Sequence, residues 1–194
     1  MRIIAGSKRR LRLKTLDGKD IRPTTDRIKE TLFNIIQDEV PGSYFLDLFA
    51  GSGQIGLEAV SRGARYAVFV EQSKKAAECI RANIEHTKSE QECRLLTMDV
   101  FAALRSLEGR YQFDIIFMDP PYGMELEKEA LLWLKRSSLL KEDALIIAEA
   151  ALGTDVSYLE EAGYELVKEK KYKTNVHLFI KRRKYEKGDL SGEF

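Results

Sequence analysis

The sequence predicts an α/β fold, a mostly parallel seven-stranded sheet with helices on both faces. Three observations carry this. Continuous apolar runs at 44–49, 66–71, 94–98, 113–119 and 144–149 read as strands buried on both sides. Helical stretches near 54–62, 73–88, 100–108 and 125–138 separate them, an alternation that builds parallel sheets. The first run leads straight into Ala50-Gly51-Ser52-Gly53-Gln54-Ile55-Gly56, a glycine turn that opens a helix.

The flanking elements follow in order. Ile3-Ile4 and Leu11-Arg12-Leu13 enclose Gly6-Ser7-Lys8-Arg9-Arg10, which predicts a small basic hairpin extension within residues 1–22. Thr24 or Thr25 can cap a helix after Pro23, with Asp26 suited to its dipole and Ile28, Leu32, Ile35 and Ile36 on one face. Pro41-Gly42 ends it. A helix near 154–162 stops at Gly163. Then 164–167 and 176–180 read as a C-terminal antiparallel hairpin joined by a basic turn from Lys168 to Asn175. The main domain is expected over 23–184, with a disordered tail at 185–194.

The chain has 194 residues and 44% hydrophobic content, enough for one domain with a sizeable core. No apolar run approaches the roughly 20 residues that span a bilayer, so no membrane partner is expected. Cys79 and Cys93 lack metal-ligand spacing and a disulfide framework. They read as reduced thiols of a cytoplasmic protein, expected to be a monomer without a metal. The net charge of +1 is unevenly spread: residues 1–29 and 168–187 each carry +7. Both ends can attract a polyanion, and the acidic centre can accept a cation.

The most specific chemistry lies at the end of the fourth run, in Asp119-Pro120-Pro121-Tyr122. Ligands of open α/β sheets bind at such strand ends. The prolines lack N–H donors, which leaves carbonyl acceptors, and the tyrosine offers a face for a base. This combination suits a planar substrate with an exocyclic amine. Acids also end the other runs: Asp47, Glu71 and Asp99. Asp47 sits just before the glycine turn, where it would repel a pyrophosphate and favour a cation such as the amino-acid end or sulfonium of S-adenosylmethionine. Glu71 suits a ribose diol. Asp99 suits an adenine amine, with the Val100 N–H donating to the ring. His86 and His177 read as structural or solvent-facing.

With these elements placed, the chain resembles Rossmann-like S-adenosylmethionine-dependent methyltransferases. More narrowly, it looks like the RsmD type, the bacterial 16S rRNA guanine-N2 methyltransferases. The resemblance spans about residues 2–183. It rests on Arg2-Ile3-Ile4-Ala5-Gly6, Arg22-Pro23-Thr24-Thr25-Asp26-Arg27, Glu30-Thr31-Leu32-Phe33-Asn34, Leu46-Asp47-Leu48-Phe49-Ala50-Gly51-Ser52-Gly53 and Asp119-Pro120-Pro121-Tyr122. Ala5 stands where glycine is expected, and Tyr122 where phenylalanine is also common.

The resemblance implies a cofactor site of Asp47, Phe49, Gly51, Gly53, Glu71, Gln72, Asp99 and Val100. It implies catalysis by Asp119, Pro120 and Tyr122. Arg9, Arg10, Arg22, Thr25, Arg27 and Asn34 are implied to contact RNA or shape the pocket. The partner would be 16S rRNA, free or within the small ribosomal subunit or an assembly intermediate. A DNA adenine-N6 methyltransferase would use the same motif, but 194 residues leave little room for a target-recognition region. A protein-glutamine methyltransferase would favour Asn in place of Asp119. A catalytically silent RNA-binding adaptor need not retain Asp47, Glu71 and Asp99 together.

Overall fold

The computed structural model describes residues 1–16 and 25–184. Seven strands form one sheet: β1 (Tyr44–Asp47), β2 (Tyr66–Val70), β3 (Cys93–Leu96), β4 (Phe113–Met118), β5 (Leu140–Ala151), β6 (Tyr164–Lys171) and β7 (Asn175–Arg182). Their order is β3-β2-β1-β4-β5-β7-β6. The pairs from β3 to β5 are parallel, while β5·β7 and β6·β7 are antiparallel. The expected mixed sheet with its C-terminal hairpin is the observed one.

Alternation along the strands divides the core in two. On one face Leu46, Val68, Ile116 and Ile146 pack with α4 (Val100–Leu107), α5 (Leu126–Leu134) and α6 (Tyr158–Glu161). On the other, Phe45, Phe69, Ile115, Phe117, Ile147 and Phe179 pack under α1 (Asp26–Ile35), α2 (Gln54–Ser61) and α3 (Lys74–His86). The fully buried large side chains each contribute roughly 1.5–3 kcal/mol.

Two strands run longer than their apolar cores suggested. β6 extends through Lys168–Lys171, so the turn shrinks to 172–174. β6 is the sheet's edge, where charged residues are accommodated and discourage pairing with another chain. β5 begins at Leu140, before its charged stretch Lys141-Glu142-Asp143, because Leu140 pairs with Phe113 across a register irregularity.

The N-terminal hairpin is held by an Arg2–Arg12 bridge and by Ile3 and Leu11, whose backbones bond at 3.0 Å. It covers α2, every residue of which is buried. A helix that is buried all round needs a second cover, and its polar groups are what the hairpin uses. Glu58 accepts from the N–H of Ile4 (2.8 Å) and Ala5 (3.0 Å). The Ser61 carbonyl accepts from the Ser7 N–H at 2.8 Å, and its hydroxyl accepts from the Lys8 N–H at 3.0 Å. Gly6, at φ +85°, lies so close that a Cβ there would stand 1.7 Å from the Ser61 carbonyl oxygen. Ile3 and Leu13 enter the same core as α1 and α2.

Candidate active site

β1 lies between β2 and β4, so the chain's direction of growth across the sheet reverses there. The crevice beyond the carboxyl ends of such strands is where doubly wound sheets bind ligands. The register then sets which side chains reach it. Phe45 pairs with Ile115, Asp47 with Phe117, Phe117 with Ile147, and Ile147 with Phe179. Phe45, Phe69, Phe117 and Ile147 share the face covered by α1 to α3. Two residues further on, that face carries Asp47, Glu71, Asp119 and Glu149. The hydrophobic stripe thus ends in a row of acids.

Asp47 is almost fully buried. Its Oδ2 accepts from the Gly56 N–H at 3.3 Å, and its Oδ1 is buried without a hydrogen-bond partner. Burial pushes its carboxyl up to about 7, and the nearby Glu71 charge adds to this. The glycine turn supports this close packing. Gly51 and Gly53 have φ of +54° and +78°, a backbone region that L side chains rarely adopt. Space beside Gly51 is open, since a Cβ there would meet nothing within 4 Å. Gly56 has no such room, as a Cβ would stand 2.3 Å from the Phe69 ring.

Glu71 is tied to the turn: its Oε2 accepts from the Gly51 N–H at 2.9 Å and its Oε1 from the Ser73 N–H at 2.8 Å. Gln72 is exposed beside it, and Phe49 is half-buried against the opposite core. Asp99 caps α4, its Oδ1 accepting from the N–H of Phe101 (2.9 Å) and Ala102 (3.1 Å). Val100 is the first residue of that helix.

Asp119 follows β4 directly, one residue beyond the Met118–Ala148 pair and so beside Glu149 on β5. Burial raises its carboxyl well above the ordinary range, and the charges of Glu149 and Asp47 raise it further. Pro120 is buried and Tyr122 is 48% exposed. The Tyr122 hydroxyl donates to Glu149 Oε1 at 3.3 Å.

Glu149 is the residue that strand patterning alone did not single out. It is buried, and its Oε1 also accepts from Asn175 Nδ2 at 2.6 Å. Its Oε2 lies 3.1 Å from Nε2 of His177, its cross-strand partner. His177 is fully buried, with Nδ1 3.3 Å from the Tyr172 hydroxyl and its ring edge-on to Phe117. His177 is therefore a buried, structural part of a network reaching Tyr122, not a solvent-facing residue. The available signal was an acid at the end of the apolar run 144–149, the same cue that marked Asp119. Its partners come from β7, and that pairing is not written in local pattern.

The expected RNA-contacting residues are spread out. Arg9 and Arg10 are exposed at the hairpin tip. The adjacent Lys8 bonds Glu92 just before β3, at the edge of the sheet opposite the acid row. The base of the hairpin lies instead at the glycine turn, where Asn83 Nδ2 donates to both the Lys14 and Ser52 carbonyls. Thr25 caps α1, its hydroxyl accepting from the Ile28 N–H at 3.3 Å. Arg27 is exposed in the first turn, and Asn34 is exposed in the last turn. About 13 Å of helix separates Thr25 from Asn34. Arg22 lies outside the described residues, as does the tail at 185–194. Among the described residues no cluster of His, Cys, Asp or Glu could hold a metal ion, and no helix is long and apolar enough to cross a membrane.

Comparison with known proteins identifies the family of the chain. The family model described as conserved hypothetical protein 95 matches residues 1–181. The ribosomal RNA small subunit methyltransferase D of Haemophilus influenzae is 36% identical over 171 residues, 88% of this chain and 88% of that protein. The Escherichia coli protein of the same name is 34% identical over 150 residues, 77% of this chain and 74% of that one. The solved structure of Escherichia coli yhhF superposes with a TM-score of 0.83 at 31% identity, covering 94% of this chain and 97% of that chain. With sequence and fold in agreement, the chain belongs to the conserved hypothetical protein 95 family, the RsmD family of ribosomal RNA methyltransferases.

Proposed function

We propose that this protein transfers the methyl group of S-adenosylmethionine to the exocyclic N2 amine of a guanine in 16S rRNA, acting in the cytoplasm. One observation carries the reading. Asp119 and Pro120 close β4 at the sheet's reversal point, with the charge of Asp47 close enough to raise the Asp119 carboxyl. A donor site and an acceptor site thereby share one crevice.

The residues on the donor side fit the cofactor. Asp47 Oδ1 is a buried acceptor without a partner, suited to the ammonium of the amino-acid end. Open space beside Gly51 admits a ligand against the backbone. Glu71 would hold the ribose diol, and Asp99 with Val100 the adenine. When bound, the cofactor supplies an electrophilic methyl on a positively charged sulfur.

The chain's own groups do the rest. The N2 lone pair of guanine is delocalised into the ring and is a poor nucleophile. The Asp119 carboxylate and the Pro120 carbonyl would accept the two N2 hydrogens and aim the lone pair at the methyl. Such positioning supplies roughly 7–11 kcal/mol in favourable cases. Tyr122 would stack on the base, extracted from its neighbours at a cost of a few kcal/mol. A cation bound in the crevice favours the ionised form of Asp119, reversing the effect of burial. The N–C bond would form as the sulfur–methyl bond breaks with its electron pair left on sulfur; the Asp119 carboxylate would stabilise the positive charge developing on nitrogen and then accept one N2 proton.

The test is transfer of labelled methyl from S-adenosylmethionine to 16S rRNA, free and in small subunits, followed by nucleoside analysis. N2-methylguanosine is the expected product. N6-methyladenosine would overturn the base assignment. An Asp119→Ala variant that binds cofactor normally yet methylates at the wild-type rate would overturn the role given to Asp119.

A further inference from the structure

We propose that Glu149, gripped by Asn175 and His177, is a positioning residue that fixes the Tyr122 ring for stacking on the target base. The inference rests on the acceptor-site reading of Asp119 and Tyr122 given above.

The geometry makes Glu149 a fixed post. Each carboxylate oxygen is held from β7, Oε1 by Asn175 Nδ2 at 2.6 Å and Oε2 by His177 Nε2 at 3.1 Å. His177 is in turn constrained by the Tyr172 hydroxyl at 3.3 Å and by edge-on contacts with the Phe117 and Tyr172 rings. All of these except Tyr172 are buried. A buried carboxylate with partners on both oxygens is held in place by the sheet.

Tyr122 is in the opposite situation. Its ring is 48% exposed, and it lies beyond β4, in a loop where Gly123 has φ +80° and Met124 is 60% exposed. Its hydroxyl meets the post at 3.3 Å. A stacking platform must hold one plane, and a bond from the ring's hydroxyl to the sheet helps to fix that plane. The bond between an exposed hydroxyl and a buried, doubly held carboxylate transfers the rigidity of β5 and β7 to the ring. It also explains a strand carboxylate beside Asp119, which would otherwise be a costly neighbour for the reacting group.

The experiment is a double-mutant cycle on methyl transfer to 16S rRNA, with Tyr122→Phe, Glu149→Gln and the double variant. Tyr122→Phe keeps the stacking face and removes the tether, so its folding is not in question. It should lower kcat about tenfold, with the KM for RNA and the affinity for S-adenosylhomocysteine each within about threefold of wild type. Glu149→Gln should lower kcat similarly, and the double variant should be no slower than the slower single variant, since both remove one bond. Wild-type kcat in Tyr122→Phe, or multiplicative losses in the double variant, would overturn the proposal. Glu149→Gln losing stability does not remove the test, because Tyr122→Phe alone decides it. If the wild-type protein produced no N2-methylguanosine, the functional reading would fail instead, and the two failures are distinct.

Discussion

Lys29 Nζ and Glu58 Oε2 stand 3.6 Å apart with both side chains completely buried. Lys29 also donates to the Arg2 carbonyl at 2.6 Å, and Arg62 Nε donates to Glu58 Oε1 at 2.8 Å. With the Ile4 and Ala5 N–H groups, Glu58 thus joins α1, α2 and the hairpin. Burial nonetheless holds the Lys29 ammonium below its ordinary range. The pair is therefore asymmetric: formed, it is satisfied; broken, it leaves a buried cation. Glu58→Ala should cost about 3–5 kcal/mol, read as a lower urea midpoint. Glu58→Gln, which keeps one of the two acceptors to the backbone and leaves no cavity, should cost less. Equal stability of Glu58→Ala and wild type would refute this account of the hairpin's anchoring.

A second prediction concerns pH. The Asp47 carboxyl titrates near 7 in the folded protein, against 3.8 for the free side chain. Between those values the folded state binds more protons than the unfolded one. The stability linked to Asp47 is complete below 3.8 and is lost as pH rises through about 7. Asp119, also raised, acts in the same direction. The ligand-free protein should melt at falling temperatures from pH 5 to pH 8, and Asp47→Asn should flatten the trend. A cationic ligand group that pairs with Asp47 needs the anion. Binding of S-adenosylhomocysteine at pH 6 should release about one proton, seen as a buffer-dependent enthalpy in calorimetry. Release that is unchanged in Asp47→Asn would place the ammonium elsewhere.

Much of this site can be read along the chain because it obeys local rules. Asp47, Glu71, Asp99 and Asp119 each end an apolar run, and a strand end is visible in one dimension. The Glu149–His177 pair is not. It needs the antiparallel register of β5 and β7, set by residues 28 positions apart. The Lys29–Glu58 pair is hidden for the same reason: a lysine and a glutamate on amphipathic helices read as solvated until the hairpin covers them. Periodicity says which face a residue takes, and long-range pairing decides what it meets there.

Gly56 makes a third case. A Cβ at this position would stand 2.3 Å from Phe69 Cε1 and 2.6 Å from Cζ, and the ring is fully buried. Gly56→Ala should destabilise the fold by about 1–3 kcal/mol through overpacking. Phe69→Leu opens space and costs stability itself. The double variant should then be more stable than the sum of the two losses predicts. Chemical denaturation of the three variants measures the cycle, and strict additivity would mean that α2 shifts as a body to admit the methyl group.

The hairpin tip and the β6–β7 turn sit toward different edges of the sheet, and RNA binding should tell them apart. Lys170 and Lys171 precede the 172–174 turn and Lys173 lies in it, and the same turn brings Tyr172 to His177 and so to Glu149 and Tyr122. Arg9 and Arg10 sit at the hairpin tip beside Ser61 and Lys8, whose ammonium holds Glu92 at the opposite edge. An RNA whose target base entered the acid-lined crevice would meet the β6–β7 turn before the hairpin tip. Each phosphate contact contributes about 0.7 to the slope of log affinity against log salt for a single strand. Replacing the three lysines with glutamine should lower the slope by about 1–2, since Lys171 is partly satisfied by Glu169 at 3.5 Å. Replacing Arg9 and Arg10 should lower it by less than about 1, with a smaller rise in the KM for RNA. Filter binding across a salt series measures both. The reverse ranking would mean that the RNA wraps along the N-terminal hairpin to the far edge, with the C-terminal hairpin left in solvent.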